Sequence, residues 1–255
     1  MGTTEGFYQL DLPKVKSQFP DLVIRHRDQV DSTNDWARRV SANFTDNQSV
    51  LFLTRQQTSG RGRGDHRWDS SRGSLTFSIL IPNAFSLKDP RRSFVALAAG
   101  CGVCLALEAF GAKPAVKWPN DIFCANGKLA GILVESAENG SLVVGCGINV
   151  NNDVSTVKQG ASLRDCCQKP LDLTMVLVAS VREILQLTRS IESETEPLVR
   201  LFNRLDWLKG AEVQWSSGSQ VQTGIACGIT SDAALKIMTK SGELQVASGS
   251  VFKLN

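Results

Sequence analysis

A chain of 255 residues is long enough for one large domain, or for a main domain with a small companion. Hydrophobic residues at 42% and charged residues at 21% are ordinary globular values, so a sizeable core can be buried. The formal net charge of +3 is too weak for a protein that coats nucleic acid or a membrane surface, and any basic function must be local.

No uninterrupted run of about 18 apolar residues occurs, so no membrane-spanning helix is expected. Asp11, Asp21 and Asp28 interrupt the N-terminal segment, which lacks the apolar stretch of a signal peptide. The seven cysteines are then read as reduced thiols of a cytoplasmic protein. Cys101 and Cys104 form a CxxC, but inside an apolar stretch of helical character, where small core residues are the better reading. His26 and His66 are the only histidines, so a side-chain metal cluster is poorly supplied.

In chain order, Leu22 to Ile24 begins a strand. Ser32 reads as a helix N-cap, with Asp35 placed to reach back to it, and the helix carries Trp36, Ala37 and Val40 on one face. Val50 to Leu53 is a buried strand and Leu75 to Ile81 another. Phe94 to Phe110 is a long apolar helix, ended by Gly111 and Pro114. Short strands follow at Ala115 to Trp118 and Asp121 to Cys124, then an Asn126-Gly127 turn, then strands at Leu129 to Glu135 and Leu142 to Val150. Helices are expected over Leu173 to Ser190 and Glu196 to Trp207. Beyond Gly210 the pattern is short β only: Glu212 to Trp215, Gln220 to Ile229, Leu235 to Met238 and Leu244 to Ala247, with turns at Ser217-Gly218 and Ser241-Gly242. The fold class is α+β, a mixed sheet with flanking helices over residues 1–208 and a small barrel-like β module over 209–255 that leans on it.

The chemistry-bearing segments lie between these elements. Gly60-Arg61-Gly62-Arg63-Gly64 follows a buried strand directly. Glycines let backbone approach a ligand, and arginines offer planar donor forks for phosphate and carboxylate oxygens. The spacing fits neither a Walker A loop nor the dinucleotide GxGxxG. A solvated basic turn or an RNA-binding segment would carry the same tripeptides. Lys117-Trp118-Pro119-Asn120-Asp121 places a cation, an aromatic and a carboxylate at a strand junction. Lys128 stands at the mouth of an otherwise apolar strand, where a lysine usually snorkels. Gly145 and Gly147 within a strand mark close approach of a ligand or of another backbone.

Together these segments resemble the biotin–protein ligase family. The resemblance rests on Ser32-Thr33-Asn34, on Gln57 with Gly60 to Arg63 and Trp68, on Lys117 to Asp121, on Lys128 to Glu135, and on Gly145 to Asn149, in the family's order and with similar gaps. It departs at Gly64-Asp65-His66-Arg67, where the family carries further basic positions before the tryptophan. The resemblance implies a class II synthetase-like catalytic fold with an SH3-like β-barrel at the C-terminus. It implies an ATP-dependent ligase that activates biotin as biotinyl-5′-AMP and transfers it to a lysine of a biotin carboxyl carrier protein. Mg²⁺ is expected to arrive with ATP rather than at a protein metal cluster.

Residue by residue, the resemblance gives Lys128, Arg63 and Asp121 to catalysis. Biotin falls to Ser32, Thr33, Asn34, Gln57, Arg61, Gly62, Arg63, Lys128, Gly131, Gly145 and Gly147. The nucleotide falls to Arg61, Arg63, Trp68, Asn120, Asp121, Lys128 and Asn149. Asp121 either orients the carrier lysine, takes its proton or holds the nucleotide, and the sequence leaves these open. A homodimer is compatible with the resemblance; nucleic-acid and membrane partners are not expected, because too few residues precede Ser32 for a DNA-binding module. The alternative is a lipoate or octanoate ligase or transferase, which shares the catalytic fold, and the remote alternative is an RNA-binding module.

Overall fold

The computed structural model describes residues 8–42, 48–82, 85, 88–125, 127–217 and 220–254. Its main element is a seven-stranded mixed sheet in the order β1-β2-β3-β7-β6-β5-β4. These strands are β1 (Val23–Val30), β2 (Val50–Gln57), β3 (Ser74–Ile81), β4 (Pro114–Lys117), β5 (Asp121–Cys124), β6 (Gly127–Ser136) and β7 (Leu142–Asn149). Only β1 and β2 run parallel; the other neighbours are antiparallel.

Strand alternation sorts the side chains onto two faces. On β3, Leu75, Phe77, Ile79 and Ile81 enter the main core, while Leu80 joins a second cluster with Val50, Phe52 and Val143. Both faces of β3 are therefore covered, which explains its near-continuous burial. The main core is covered by α3 (Val95–Glu108) and α5 (Leu173–Ser190), the second cluster by α2 (Thr33–Ser41). The segment Pro90–Glu108 is long and apolar enough to cross a membrane, but 67% of it is buried against the rest of the protein as the central core helix. Cys101 and Cys104 lie in that core, and burial pushes the Cys101 thiol up to about 12 and Cys104 well up too, so both are inert packing groups.

Helix ends follow local chemistry. Asp172 caps α5 by accepting from Thr174 N and Met175 N. Ser32 caps α2 through Asp35 N, but the expected return bond from Asp35 is replaced: Asp31 Oδ1 accepts from Ser32 N at 2.8 Å, leaving Asp35 for Arg61. Two short helices escaped the sequence reading, α1 (Leu12–Gln18) and α4 (Leu163–Cys167), whereas α6 (Glu196–Leu205) was expected. Of the expected Asn126-Gly127 turn, Asn126 lies outside the described residues and Gly127 already starts β6.

After Gly210, which takes a φ of +74°, come β8 (Glu212–Ser217), β9 (Gln220–Ile229), β10 (Leu235–Thr239), β11 (Gly242–Val246) and β12 (Ser250–Lys253). They form an antiparallel sheet ordered β11-β10-β9-β8-β12. Its outer strands are β11 and β12, which share no ladder among the described residues, and the sheet stands where the small C-terminal β module was expected. It does lean on the larger sheet: Val213, Ala226, Leu235 and Ile237 join the main core. Trp118 Nε1 donates to Ala233 O at 3.0 Å, and Trp207 N donates to Val116 O at 3.0 Å.

Candidate active site

The sheet face opposite α3 and α5 becomes the floor of a cavity. Gly131 and Leu133 on β6, Gly145 and Gly147 on β7, and Thr76 on β3 share that face by alternation, and all line a cavity of about 730 Å³. Such a volume suits a ligand of nucleotide size.

The arginine-glycine loop forms one wall. It is a hairpin continuing β2: Trp68 N donates to Gly60 O at 3.1 Å, Gly62 N to His66 O at 2.7 Å, and His66 N to Arg63 O at 3.3 Å. Gly64 sits at its tip with a φ of +58°, a left-handed conformation that favours glycine. Arg63 Nη1 reaches Asn120 Oδ1 at 3.4 Å across the cavity mouth. Trp68 lays its ring over Gly147: a Cβ added there would lie 2.5 Å from Trp68 Cζ2 and 2.6 Å from Nε1. A Cβ on Gly145 would lie 2.9 Å from Asn34 Cγ. Both glycines line the cavity as expected, yet the room they leave is taken first by Trp68 and Asn34.

The N-terminus of α2 forms the second wall. Gln57 Oε1 accepts from Thr33 N at 2.8 Å and from Thr33 Oγ1 at 3.1 Å. Ser78 donates to Asn34 Oδ1 at 2.6 Å, and Asn34 Nδ2 donates to Leu133 O at 3.2 Å and Glu135 Oε2 at 2.7 Å. Asn34 was expected to bond biotin. It lines the cavity; both its amide hydrogens go to protein, and its oxygen accepts from Ser78 with one lone pair left over. Ser32, Thr33, Gln57, Gly62, Arg63, Asn120 and Gly131 line the cavity as the sequence placed them.

The third wall carries the cations. Lys128 Nζ lies 2.7 Å from Asp121 Oδ1. Its backbone is held on both sides, Lys128 N donating to Gln159 O at 2.6 Å and Lys128 O accepting from Ala161 N at 3.0 Å. Asn149, expected at the nucleotide, does not line the cavity. Its Nδ2 lies 3.4 Å from Lys128 O and its Oδ1 accepts from Asn152, so it supports the lysine's backbone. Lys117 lies 5.4 Å from the Phe123 ring centroid and 5.7 Å from that of Phe252, a cation–π arrangement. Burial lowers its pKa, opposed by Asp121 and reinforced by Lys128.

Arg61, expected at both biotin and nucleotide, has partners of its own. Its Nη2 donates to Asp35 Oδ1 at 2.7 Å and to Glu135 at 3.0 Å. Burial works against its charge, but the bonds to Asp35 and Glu135 outweigh this and raise its pKa above the ordinary value. The sequence reading gave no site role to Asp35, Glu135, Lys117, Phe123, Phe252, Lys158 or Gln159. Strand parity with Gly131 and Leu133 was a usable signal for Glu135; Phe252 and Lys158 carried none. Among the described residues no cluster of three or more His, Cys, Asp or Glu could hold a metal ion.

Fold and site together place fixed cations on facing walls of a cavity of nucleotide size. The model of the biotin/lipoate A/B protein ligase family matches residues 27–153, and the chain belongs to that family. It is 32% identical to the biotin–[acetyl-CoA-carboxylase] ligase of Paracoccus denitrificans over 52% of its own length and 58% of the relative's, so it spans less than two thirds of that protein. It is 27% identical to the bifunctional ligase/repressor BirA of Salmonella typhimurium, covering 91% of this chain and 74% of the other. Among solved structures, the biotin protein ligase of Aquifex aeolicus in complex with biotin and ATP superposes with a TM-score of 0.80 at 26% identity, covering 91% of this chain and 99% of the other.

Proposed function

We propose that this chain activates biotin with ATP and passes the biotinyl group to a lysine of a biotin carboxyl carrier domain. The biotin carboxylate attacks the α-phosphorus of ATP, forming biotinyl-5′-AMP and releasing pyrophosphate. The carrier lysine then attacks the acyl carbon, forming an amide and releasing AMP. The reading is carried by one observation: segments as distant as Ser32 to Asn34, Gln57 to Trp68 and Lys117 to Lys128 converge on a single cavity, in a chain whose fold matches a ligase seen with biotin and ATP.

The first step brings two anions together, and two unit charges at 4 Å interact by about 4 kcal/mol at an effective dielectric of 20. Lys128 and Arg63, on opposite walls of the cavity, supply the fixed positive charge that offsets this repulsion. When Lys128 turns to the reacting oxygens, its partner Asp121 is released to receive a proton from the incoming amine. Ser32, Thr33 and Gln57 present neutral donors and acceptors to an uncharged ureido ring, and Leu133 lines the aliphatic chain. Mg²⁺ would enter on the ATP phosphates, with Asp121 and Asp65 as the carboxylates beside them. The reading also carries a cytoplasmic homodimer without a nucleic-acid partner, which light scattering in the presence and absence of DNA checks.

ATP–pyrophosphate exchange driven by biotin, compared with lipoate and octanoate, tests the assignment. Biotin should drive exchange and the other acids should not. Exchange driven by lipoate alone would move the chain to the lipoate branch of the family.

A further inference from the structure

One carboxylate joins two pieces of the site that lie far apart in the chain. Glu135 Oε2 accepts from Asn34 Nδ2 at 2.7 Å, and both Glu135 oxygens accept from Arg61 Nη2 at 3.0 Å. Asp35 takes the rest of the guanidinium, with Arg61 Nη2 to Oδ1 at 2.7 Å and Nε to Oδ2 at 3.2 Å. Arg38 flanks both acids, 3.6 Å from Asp35 and 3.7 Å from Glu135. The side chains of Glu135 and Asp35 are 20% and 28% exposed, so the cluster is shielded on its acidic side. Charge-assisted, multiply bonded contacts of this kind hold geometry better than isolated surface pairs.

The two partners of Glu135 belong to different walls. Asn34 closes the pocket over Gly145. Arg61 stands at the root of the arginine-glycine hairpin, bridged to Arg67 on its return strand. Fixing the Arg61 guanidinium fixes the angle at which that hairpin meets the cavity. We infer that Glu135 is a positioning residue: it latches the hairpin, through Arg61, to the pocket wall formed by Asn34, and so governs how tightly the acid and its adenylate are retained rather than how fast they react. For the identity of the ligand the inference rests on the proposed ligase reading.

The test uses the full chain. Glu135→Gln keeps the size and an acceptor for Asn34 but removes the charge opposite Arg61. Without ligand, limiting trypsin should cut after Arg61, Arg63 and Arg67 about tenfold faster in this variant, with cleavage elsewhere unchanged, as loss of a charge-assisted bond would allow. With biotin and ATP, release of biotinyl-AMP should rise by about tenfold and the KM for biotin should rise, while kcat for adenylation changes by less than about threefold. Arg61→Ala, which removes its own trypsin site, should do the same at Arg63 and Arg67 and in the kinetics, and the double variant should be no worse than either single change at those sites. Unchanged cleavage of the hairpin, or additive effects in the double variant, would overturn the inference. Should Glu135→Gln lower Tm too far for comparison, Arg61→Gln replaces it under the same criterion. If the wild-type chain fails to adenylate biotin, the ligase reading falls, while the ligand-free trypsin comparison still decides the latch.

Discussion

Gly147→Ala tests the packing that shapes the cavity floor. The added methyl would lie 2.5 Å from Trp68 Cζ2 and 2.6 Å from Nε1, against a normal carbon contact of about 3.5 Å or more, so the ring must retreat by roughly 1 Å. Overpacking of this size costs about 1–3 kcal/mol. If the folded state bears the cost, Tm falls by about 2–4 °C per kcal/mol for a chain of this size. If the ring instead swings into the cavity, biotin affinity falls by roughly 5- to 150-fold. Gly131→Ala is the internal control for stability, because its Cβ would meet Lys128 Cε at 3.4 Å and Trp68 Cζ3 at 3.5 Å, which are ordinary contacts. Calorimetric titration with biotin and thermal unfolding of both variants measure the two routes. Unchanged Tm and an affinity within about twofold of wild type for Gly147→Ala would show that Trp68 does not rest on this glycine.

Lys128→Ala should reduce biotin-driven pyrophosphate exchange by about 10²-fold or more, the scale of losing one charge-stabilising donor; near-normal exchange would remove the lysine from the chemistry. Trp118→Phe leaves Ala233 O without its donor and should cost about 1–3 kcal/mol, seen as a lowered Tm, whereas an unchanged Tm would deny that this bond helps dock the C-terminal sheet. Asp206 is pushed up from 3.8 to about 6, chiefly by burial, with the bond from Leu208 N and the charge of Lys209 opposing. Its folded form holds the proton more tightly, so stability is full below about pH 4, falls as pH rises to about 6, and is constant above that. The loss is at most about 3 kcal/mol at 1.36 kcal/mol per unit. Asp206→Asn should therefore be more stable than wild type at pH 7 but not at pH 4, by urea unfolding, and a pH-independent difference would contradict the argument.

Local rules made most of the fold legible. α5 runs over the residues expected, Leu173–Ser190, and so do β5 and β9, because each is bounded by a strong cap or turn. α1 and α4 escaped because they are short and weakly periodic, and α4 ends at Gln168 with a φ of +55° where a glycine would have announced the stop. In the site, the cavity floor was legible because strand parity alone places Gly131, Gly145 and Gly147 on one face. The bonding of the walls was not legible. Arg61 and Glu135 stand 74 residues apart in sequence, and nothing local says that the arginine is answered by carboxylates before any phosphate arrives. Asn34 carries the same lesson: its bonds reach Ser78, Leu133 and Glu135, 44, 99 and 101 residues away, and no local pattern announces them.

The charges of the cavity separate into two groups with different partners. Arg61 is held by two carboxylates, and displacing both to bind an anion would leave two partly shielded acids to share the more distant Arg38, at 3.6 and 3.7 Å. Lys128 has one carboxylate, Asp121, and a side chain that is 38% exposed. Among the described residues, Arg63 has only a long bond to the neutral Asn120. An arriving carboxylate or phosphate therefore displaces least when it takes Arg63 and Lys128, and most when it takes Arg61. On the proposed ligase reading, the same arginine-glycine loop does two jobs with neighbouring arginines: Arg61 anchors the hairpin and Arg63 meets the anion. The glycine between them, with its N–H donating to His66 O, keeps the two guanidinium groups on a single turn of hairpin while they face different neighbours.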